Sequence, residues 1–584
     1  MKRHFLRLLF IVLAVVLVAF ATSCKAGPDI VRGTVFQDLD GDGVRDPSED
    51  GIPGIVVSNG FSVSVTGEGG EYQLPREGYF VFITTPSDYS PTTPWYHRLN
   101  EGEGSFGLHV APQKDVEEFA FVQITDIHLD GAEEHVALFK QAIDEINEVA
   151  PAFVIATGDL VWKADEATIS EAREWFDTYS FVIQDFQVPV YNAVGNHDVV
   201  GIGCEHLAPS EPGYGKEMYR SYFGPTYYSF NWGSYHCILL DPNESVDGQQ
   251  VFSVPESQLE WLQEDLKHSR GKPLLLFFHE PTTSWENRSE VLGILGEREV
   301  LMFCGHWHLS VLMDSYGIPE QVTGALCGDW WSGPNLDGKP FGYAVVVVEP
   351  EGVSVLYKGI SQKRTINMVA PSTIVSGETV LRAQIYSDYG RIHQTNYSVD
   401  GGQAVPMQIE TGLLWDTATA LLNATELEAG YHVIAIEAVD AEGAFSEEFQ
   451  IKICEEEVVP ARELLSNFEG YRGHYATVTG QVTLAAIGPP FAGRGSGVIV
   501  ITDETGSIVM VAVECISPPL PELAQGDTVR VRGLAIQQGT ESLGTLQQYV
   551  EFLPEGLVVT DETGRQTVRL IALVSGADIQ KLDR

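Results

Sequence analysis

Five short polar blocks constrain this chain more than any other feature. They are Asp126-Ile127-His128, Gly158-Asp159, Gly195-Asn196-His197-Asp198, His279 and Gly305-His306-Trp307-His308. Each lies at the end of an apolar run that reads as a buried strand: FAFVQI, FVIA, VPVYNAV, PLLLFF and VLMFC. In open α/β sheets ligand groups converge at the carboxyl ends of strands, so blocks about 180 residues apart can meet in space. Between the runs, Val136, Phe139, Ile143 and Ile146, and again Leu259, Leu262 and Leu266, recur at helical spacing. Residues 115–360 therefore read as a layered α/β domain. One block alone carries little, because a lone histidine is more often structural than a ligand. The ordered set carries the reading.

The set resembles the calcineurin-like metallophosphoesterase family, with its pattern D-x-H, GD, GNH-D/E, H and GH-x-H, over residues 119–345. The resemblance implies a multidomain protein whose four-layer α/β core is a β-sandwich flanked by helices, with all-β accessory domains. It also implies a two-metal site. By position, Asp126, His128, Asp159 and His308 would hold one ion, and Asp159, Asn196, His279 and His306 the other, with Asp159 bridging. Manganese, iron or zinc are the family's ions. His197 would act near the leaving-group oxygen as a catalytic group rather than as a ligand. Asp198 is expected to orient an imidazole.

The chemistry supports this independently. Two cations roughly 3.5–4 Å apart need a carboxylate between them and mixed nitrogen and oxygen donors around them. Their effect is to acidify bound water towards a pKa of about 7, giving a hydroxide that attacks phosphorus in line, and to polarise the phosphoryl oxygens.

The rest of the chain reads as export machinery and β modules. Lys2, Arg3 and Arg7 precede an apolar run ending in Ala21-Thr22-Ser23-Cys24, which resembles a bacterial lipoprotein signal over residues 1–23 with Cys24 lipidated. The expected location is the cell envelope, periplasmic or at the cell surface, with the membrane reached through Cys24. Residues 29–112 read as a β-sandwich domain opening on Asp38, Asp40, Asp42, Val44 and Glu49, a D-x-D-x-D-G-x5-E pattern expected to hold one structural calcium. No amphipathic helix flanks it, so it is not a helix-loop-helix hand. Residues 370–455 read as an Ig-like β-sandwich and 461–584 as an OB-like β-barrel and tail.

Composition narrows the partners. Thirty-five basic against 81 acidic residues give a net charge of -46, and the OB-like region 471–560 holds four basic groups against eight acidic ones. Nucleic-acid binding is not expected. A small phosphoester is the expected partner, since bound cations dominate the local field; oligomeric state is not encoded in any motif. Trp330 and Trp331 look like an aromatic lip able to stack on a base or an aryl leaving group, with burial in the core the equal alternative; His206, in the loop after Gly195-Asn196-His197-Asp198, could reach the phosphate, with a surface histidine the better reading. Cys237 and Cys304, inside apolar runs, are expected as buried thiols. The competing reading is a catalytically silent surface-binding protein with the phosphoesterase domain as scaffold, and its mark would be a lost ligand.

Overall fold

The computed structural model describes residues 29–453 except 100–103, 112–115, 204–206, 247–248, 297, 316–317, 351, 371–373, 376–377 and 429. Beyond these it describes the helix 461–466 and the strands between 475 and 581. The leader, Cys24, Cys204, His206 and Cys454 lie outside the described residues. Among the described residues, no helix is long and apolar enough to cross a membrane. The chain is strand-rich with few helices and divides into two units.

The first unit comprises the residues up to Pro112 together with Tyr228–Phe230 and Glu256–Arg270. Two four-stranded sheets enclose a core of Val31, Val35, Val57, Leu74, Val81, Ile83, Phe106 and Leu108. Alternation along Glu71–Pro75, with Tyr72 and Leu74 buried, shows the two-residue period of a strand with one face in the core. The borrowed segments are tied in by polar contacts: Thr84 Oγ1 lies 2.8 Å from Ser229 Oγ, which donates to Asp265 Oδ1 at 2.8 Å. The unit is therefore assembled from three separated stretches of chain.

In the second unit, two sheets carry the polar blocks. In the first, Val190–Ala193, Val154–Thr157 and Phe119–Ile124 are parallel neighbours, followed by Gly342–Glu349 and Gly352–Gly359 antiparallel. In the second, Tyr235–Leu239, Leu274–Phe277, Val300–Cys304 and Ile318–Val322 run parallel, with Val311–Ser315 antiparallel at the edge. Phe121 of the first sheet packs edge-on against Phe277 and Phe303 of the second, at 5.7 and 5.4 Å between ring centres. Every residue of the 119–124, 154–157, 274–277 and 300–304 strands is buried, the reason these runs, Gln123 and Thr157 apart, are apolar rather than alternating.

Helices Glu133–Val149 and Ile169–Val182 lay Phe139, Ile143, Ile146, Phe176 and Tyr179 against the first sheet in one cluster with Val122, Ile124, Val154, Val345 and Val347. A capping box of Thr168 and Glu171 fixes the start of the second helix. Downstream, a four-stranded and a five-stranded sheet enclose a separate core around Leu381, Ile385, Ala418, Ile434, Ile436 and Ile451. Trp415 of that sandwich belongs to the cluster between the helices and the first sheet, and Tyr386 and Leu414 pack against it. Cys237, Cys304 and Cys327 are buried.

Candidate metal centre

The turns after the parallel strands bring six His and Asp side chains into two adjoining groups, Asp126, His128 and His308, and Asp159, His279 and His306. Within each group the candidate ligand atoms lie within 4.8 Å of one another. His128 Nε2 is 3.2 Å from His308 Nε2, and His308 Nε2 is 3.3 Å from Asp126 Oδ1. His279 Nε2 is 2.9 Å from Asp159 Oδ2, and the same oxygen is 3.7 Å from His128 Nε2, so Asp159 faces both groups. All but His306 are buried.

The imidazoles are aimed by backbone carbonyls. Nδ1–H of His279 donates to Thr157 O at 2.7 Å, that of His308 to Gly328 O at 2.6 Å, and that of His128 to Trp162 O at 3.4 Å. A carbonyl only accepts, so the proton sits on Nδ1 and Nε2 faces inward as the donor a cation needs. Asn196 completes the set: its buried Oδ1 has no hydrogen-bond partner. An orphaned buried amide oxygen beside carboxylates and imidazoles is what a metal ligand looks like without its ion. The donor set fits two cations.

Backbone geometry marks the same residues. Asp126, His128, Asp159, His306 and His308 all have positive φ, between 43° and 70°, as do Trp330 and Trp331. Each such residue costs on the order of 1–3 kcal/mol and persists because surrounding structure over-determines it. Glycine is required where these turns touch. A Cβ at Gly305 would lie 1.9 Å from Thr125 Oγ1 and 2.4 Å from Asp126 Oδ2, and one at Gly195 would lie 2.3 Å from Asp159 Oδ1.

Electrostatics follow from burial set against charge. Burial lowers the pKa of His128 to about 3 and of His306 to about 4, leaving both neutral and ready to ligate. For Asp126, burial is outweighed by His279 and His308, which hold the carboxyl ionised. Around His197, burial is outweighed by Asp159 and Asp165, raising its pKa to about 9. His197 Nδ1 is 2.6 Å from Asp165 Oδ1, and its backbone N–H donates to Asp159 Oδ1 at 2.8 Å.

That pairing corrects the expectation for Asp198. Its carboxylate accepts from the backbone N–H groups of Leu160, Val161 and Gly195, at 2.9, 3.2 and 2.8 Å, and so braces two ligand turns instead of orienting an imidazole. Burial, with Asp159 nearby, raises its pKa to about 7. Asp165, six residues after Asp159, is the acid that orients His197.

The tryptophan pair also departs from a free lip. The Trp330 ring lies 4.0 Å from the His128 ring and 5.4 Å from that of His308, with Lys163 Nζ 4.8 Å from its centre. Trp331 donates its indole N–H to His128 O at 2.9 Å, stacks on His135 and packs on the core. The pair braces the ligand histidines. His206 is not among the described residues, so it is not placed at the site.

Away from this centre, Asp38, Asp40 and Glu49 converge within 4.8 Å, whereas Asp42 falls outside that group.

Comparison with known proteins agrees with the geometry. The family model for calcineurin-like phosphoesterase matches residues 119–310, and models for the N-terminal and C-terminal parts of calcineurin-like phosphoesterase match 40–108 and 320–413. The chain contains a calcineurin-like phosphoesterase domain with its two companion domains. Such phosphoesterases use a binuclear metal site, and the residues gathered here are its candidate ligands. Transmembrane protein 62 of Mus musculus is 27% identical over 41% of this chain and 40% of its own length. A probable glycerophosphodiester phosphodiesterase, GpdQ, of Arcobacter nitrofigilis is 25% identical over 40% of this chain and 87% of its own. The serine/threonine-protein phosphatase CPPED1 of Danio rerio is 25% identical over 40% and 77%. The chain thus spans less than half the length of the mouse relative.

Proposed function

We propose that the chain is an exported, membrane-anchored phosphoesterase that hydrolyses a phosphate mono- or diester at a binuclear metal site. The observation that carries this is the convergence of the Asp126 and Asp159 groups, with the orphaned Asn196 oxygen beside them. Asp126, His128, Asp159 and His308 would hold one cation, and Asp159, Asn196, His279 and His306 the other, on a two-sheet core flanked by helices. When bound, the cations supply Lewis-acid charge and an acidified water.

The protein's own part is to place and protonate. Asp165 keeps His197 in one orientation and charged, so Nε2–H serves as a donor to the phosphoryl or leaving-group oxygen. Asp198 fixes the turns that carry Asp159 and Asn196. Relatives named as a phosphodiesterase and a phosphatase support the reaction class and leave both ester types within it.

Export by residues 1–23 with lipidation at Cys24, and a structural calcium in the Asp38–Glu49 loop, belong to the same reading. A silent scaffold is disfavoured because every ligand position is filled. Purified full-length chain assayed on a panel of phosphomonoesters and diesters with manganese, zinc or iron, alongside metal analysis, tests the proposal. Two bound metals with turnover are expected; two bound metals and no turnover on any ester would overturn it.

A further inference from the structure

Beneath the ligand cluster lies a polar side chain that the reaction does not use. Gln123, on the Phe119–Ile124 strand of the first sheet, is fully buried. Its Nε2 donates to Thr157 Oγ1 at 2.9 Å and to Cys304 O at 3.0 Å, and its Oε1 accepts from Thr323 Oγ1 at 2.7 Å. The carbonyl of Cys304 only accepts, which fixes which way round the amide sits. A buried amide among apolar residues is tolerated when its donors and acceptor are paired, and these are.

The three partners stand directly under the ligand turns. Thr157 precedes Gly158-Asp159, and its carbonyl anchors His279. Cys304 precedes Gly305-His306, and Thr323 N–H donates to Cys304 O at 2.9 Å. Thr157 belongs to the first sheet, whereas Cys304 and Thr323 belong to or follow strands of the second. Each ligand group also draws on both sheets: Asp126, His128 and Asp159 follow strands of the first, and His279, His306 and His308 follow strands of the second. The width of each cation position is therefore the separation of the sheets at this level. Aromatic packing through Phe121 holds the sheets together but is non-directional, while the amide fixes distance and register.

We propose that Gln123 is a positioning residue that sets the sheet separation under the centre and thereby the width of each cation position. This rests on the binuclear reading above. The test uses the full chain loaded with Mn(II), comparing wild type with Gln123→Met, which keeps the volume and removes all three bonds, and with Val345→Ala, on the neighbouring strand, which thins the cluster on the helix-covered face of the first sheet. Metal content, the electron paramagnetic resonance spectrum, kcat, KM and thermal unfolding are measured on each.

Wild type is expected to bind two Mn(II) with a coupled-pair spectrum. Gln123→Met should lose the coupling and hold the second ion at least about tenfold more weakly, with kcat falling about 100-fold and KM within about twofold, as a displacement near 1 Å would produce. Val345→Ala should lose thermal stability but keep coupling and kcat. A coupled spectrum with kcat within about twofold of wild type in Gln123→Met would overturn the proposal, as would Val345→Ala matching Gln123→Met on both readouts. Should Gln123→Met not fold, Thr323→Val removes one bond of three, and wild-type coupling there would also overturn it. A wild type that binds no pair of Mn(II) ions refutes the binuclear reading itself, a result distinct from failure at Gln123.

Discussion

The cluster around Asp126 and Asp159 and the loop from Asp38 to Glu49 both gather buried carboxylates, yet their oxygens face different partners. In the loop, both Asp38 oxygens take backbone N–H groups, from Gly41 and Gly43, and both Glu49 oxygens do the same, from Leu39 and Asp46. The loop closes on itself. In the cluster, the His306 N–H is shared between the two Asp126 oxygens and the His197 N–H takes Asp159 Oδ1, while Asp126 Oδ1 and Asp159 Oδ2 are turned toward imidazole nitrogens. His128 and His308 confront each other with Nε2 atoms 3.2 Å apart, and Asn196 Oδ1 has no partner among the described residues. A cation reinforces the first arrangement, whereas the second is incomplete without one.

Substitution of the central acid gives the sharpest contrast. Asp159→Asn is expected to release metal and lower kcat by about 1000-fold or more, several kcal/mol of transition-state stabilisation, while Asp38→Asn leaves turnover within about twofold. Metal analysis and steady-state kinetics decide it, and equal losses at the two positions would erase the distinction.

Next in size, His197→Ala should keep both metals and lose about 100- to 1000-fold in kcat. Unimpaired turnover would remove it from the mechanism. Asp165→Asn should cost less, about tenfold, and move the basic limb of the pH profile to lower pH, because His197 keeps Asp159 but loses the second carboxylate that raises its pKa. An unchanged pH profile would mean that Asp165 does not act through His197.

The smallest effect belongs to the loop. Its Asp38 carboxyl is held below the usual range, first by the nearby Thr92 hydroxyl and then by the Gly41 and Gly43 amides, against burial. A depressed folded-state pKa stabilises the fold above the unfolded value near 3.9, and that contribution is lost as pH falls through the folded value. The Tm difference between wild type and Asp38→Asn should therefore hold from pH 8 to 5 and shrink below about pH 4. Calcium is expected to raise the wild-type Tm by about 2–4 °C, roughly 1 kcal/mol, with no change in kcat. A rise in kcat that tracks calcium would join the two regions functionally.

Side chains that contact one another through fixed motifs were readable in advance; contacts made by backbone were not. Asp126, His128, Asp159, Asn196, His279, His306 and His308 stand out because residue type, order and position at strand ends coincide. The carbonyls of Thr157, Gly328 and Trp162 that aim the histidines carry no residue-type signature. Asp165 was hidden in a chain so acidic that one more aspartate gives no contrast, although its place shortly after Gly158-Asp159 was a usable signal. Asp198 was misjudged because proximity in sequence to His197 suggested contact, whereas the 3-10 turn Asn196–Asp198 directs its carboxylate to backbone N–H groups instead. The tryptophans were visible as a pair, but not the strained turn that lays one over the ligand rings. Gln123, within an apolar strand, reads as an interruption until the second sheet supplies Cys304 and Thr323.

Trp415 gives the domain order a practical edge. Its indole fills the hydrophobic layer shared by the two helices and the first sheet, although it is encoded more than fifty residues beyond the last strand of that sheet. An expression fragment trimmed near residue 360 would leave a tryptophan-sized hole in the phosphoesterase domain and open greasy surface to water. A fragment that keeps this layer filled therefore ends beyond the strand Asp416–Asn423, and what looks like an appended module is the plug of the domain it follows.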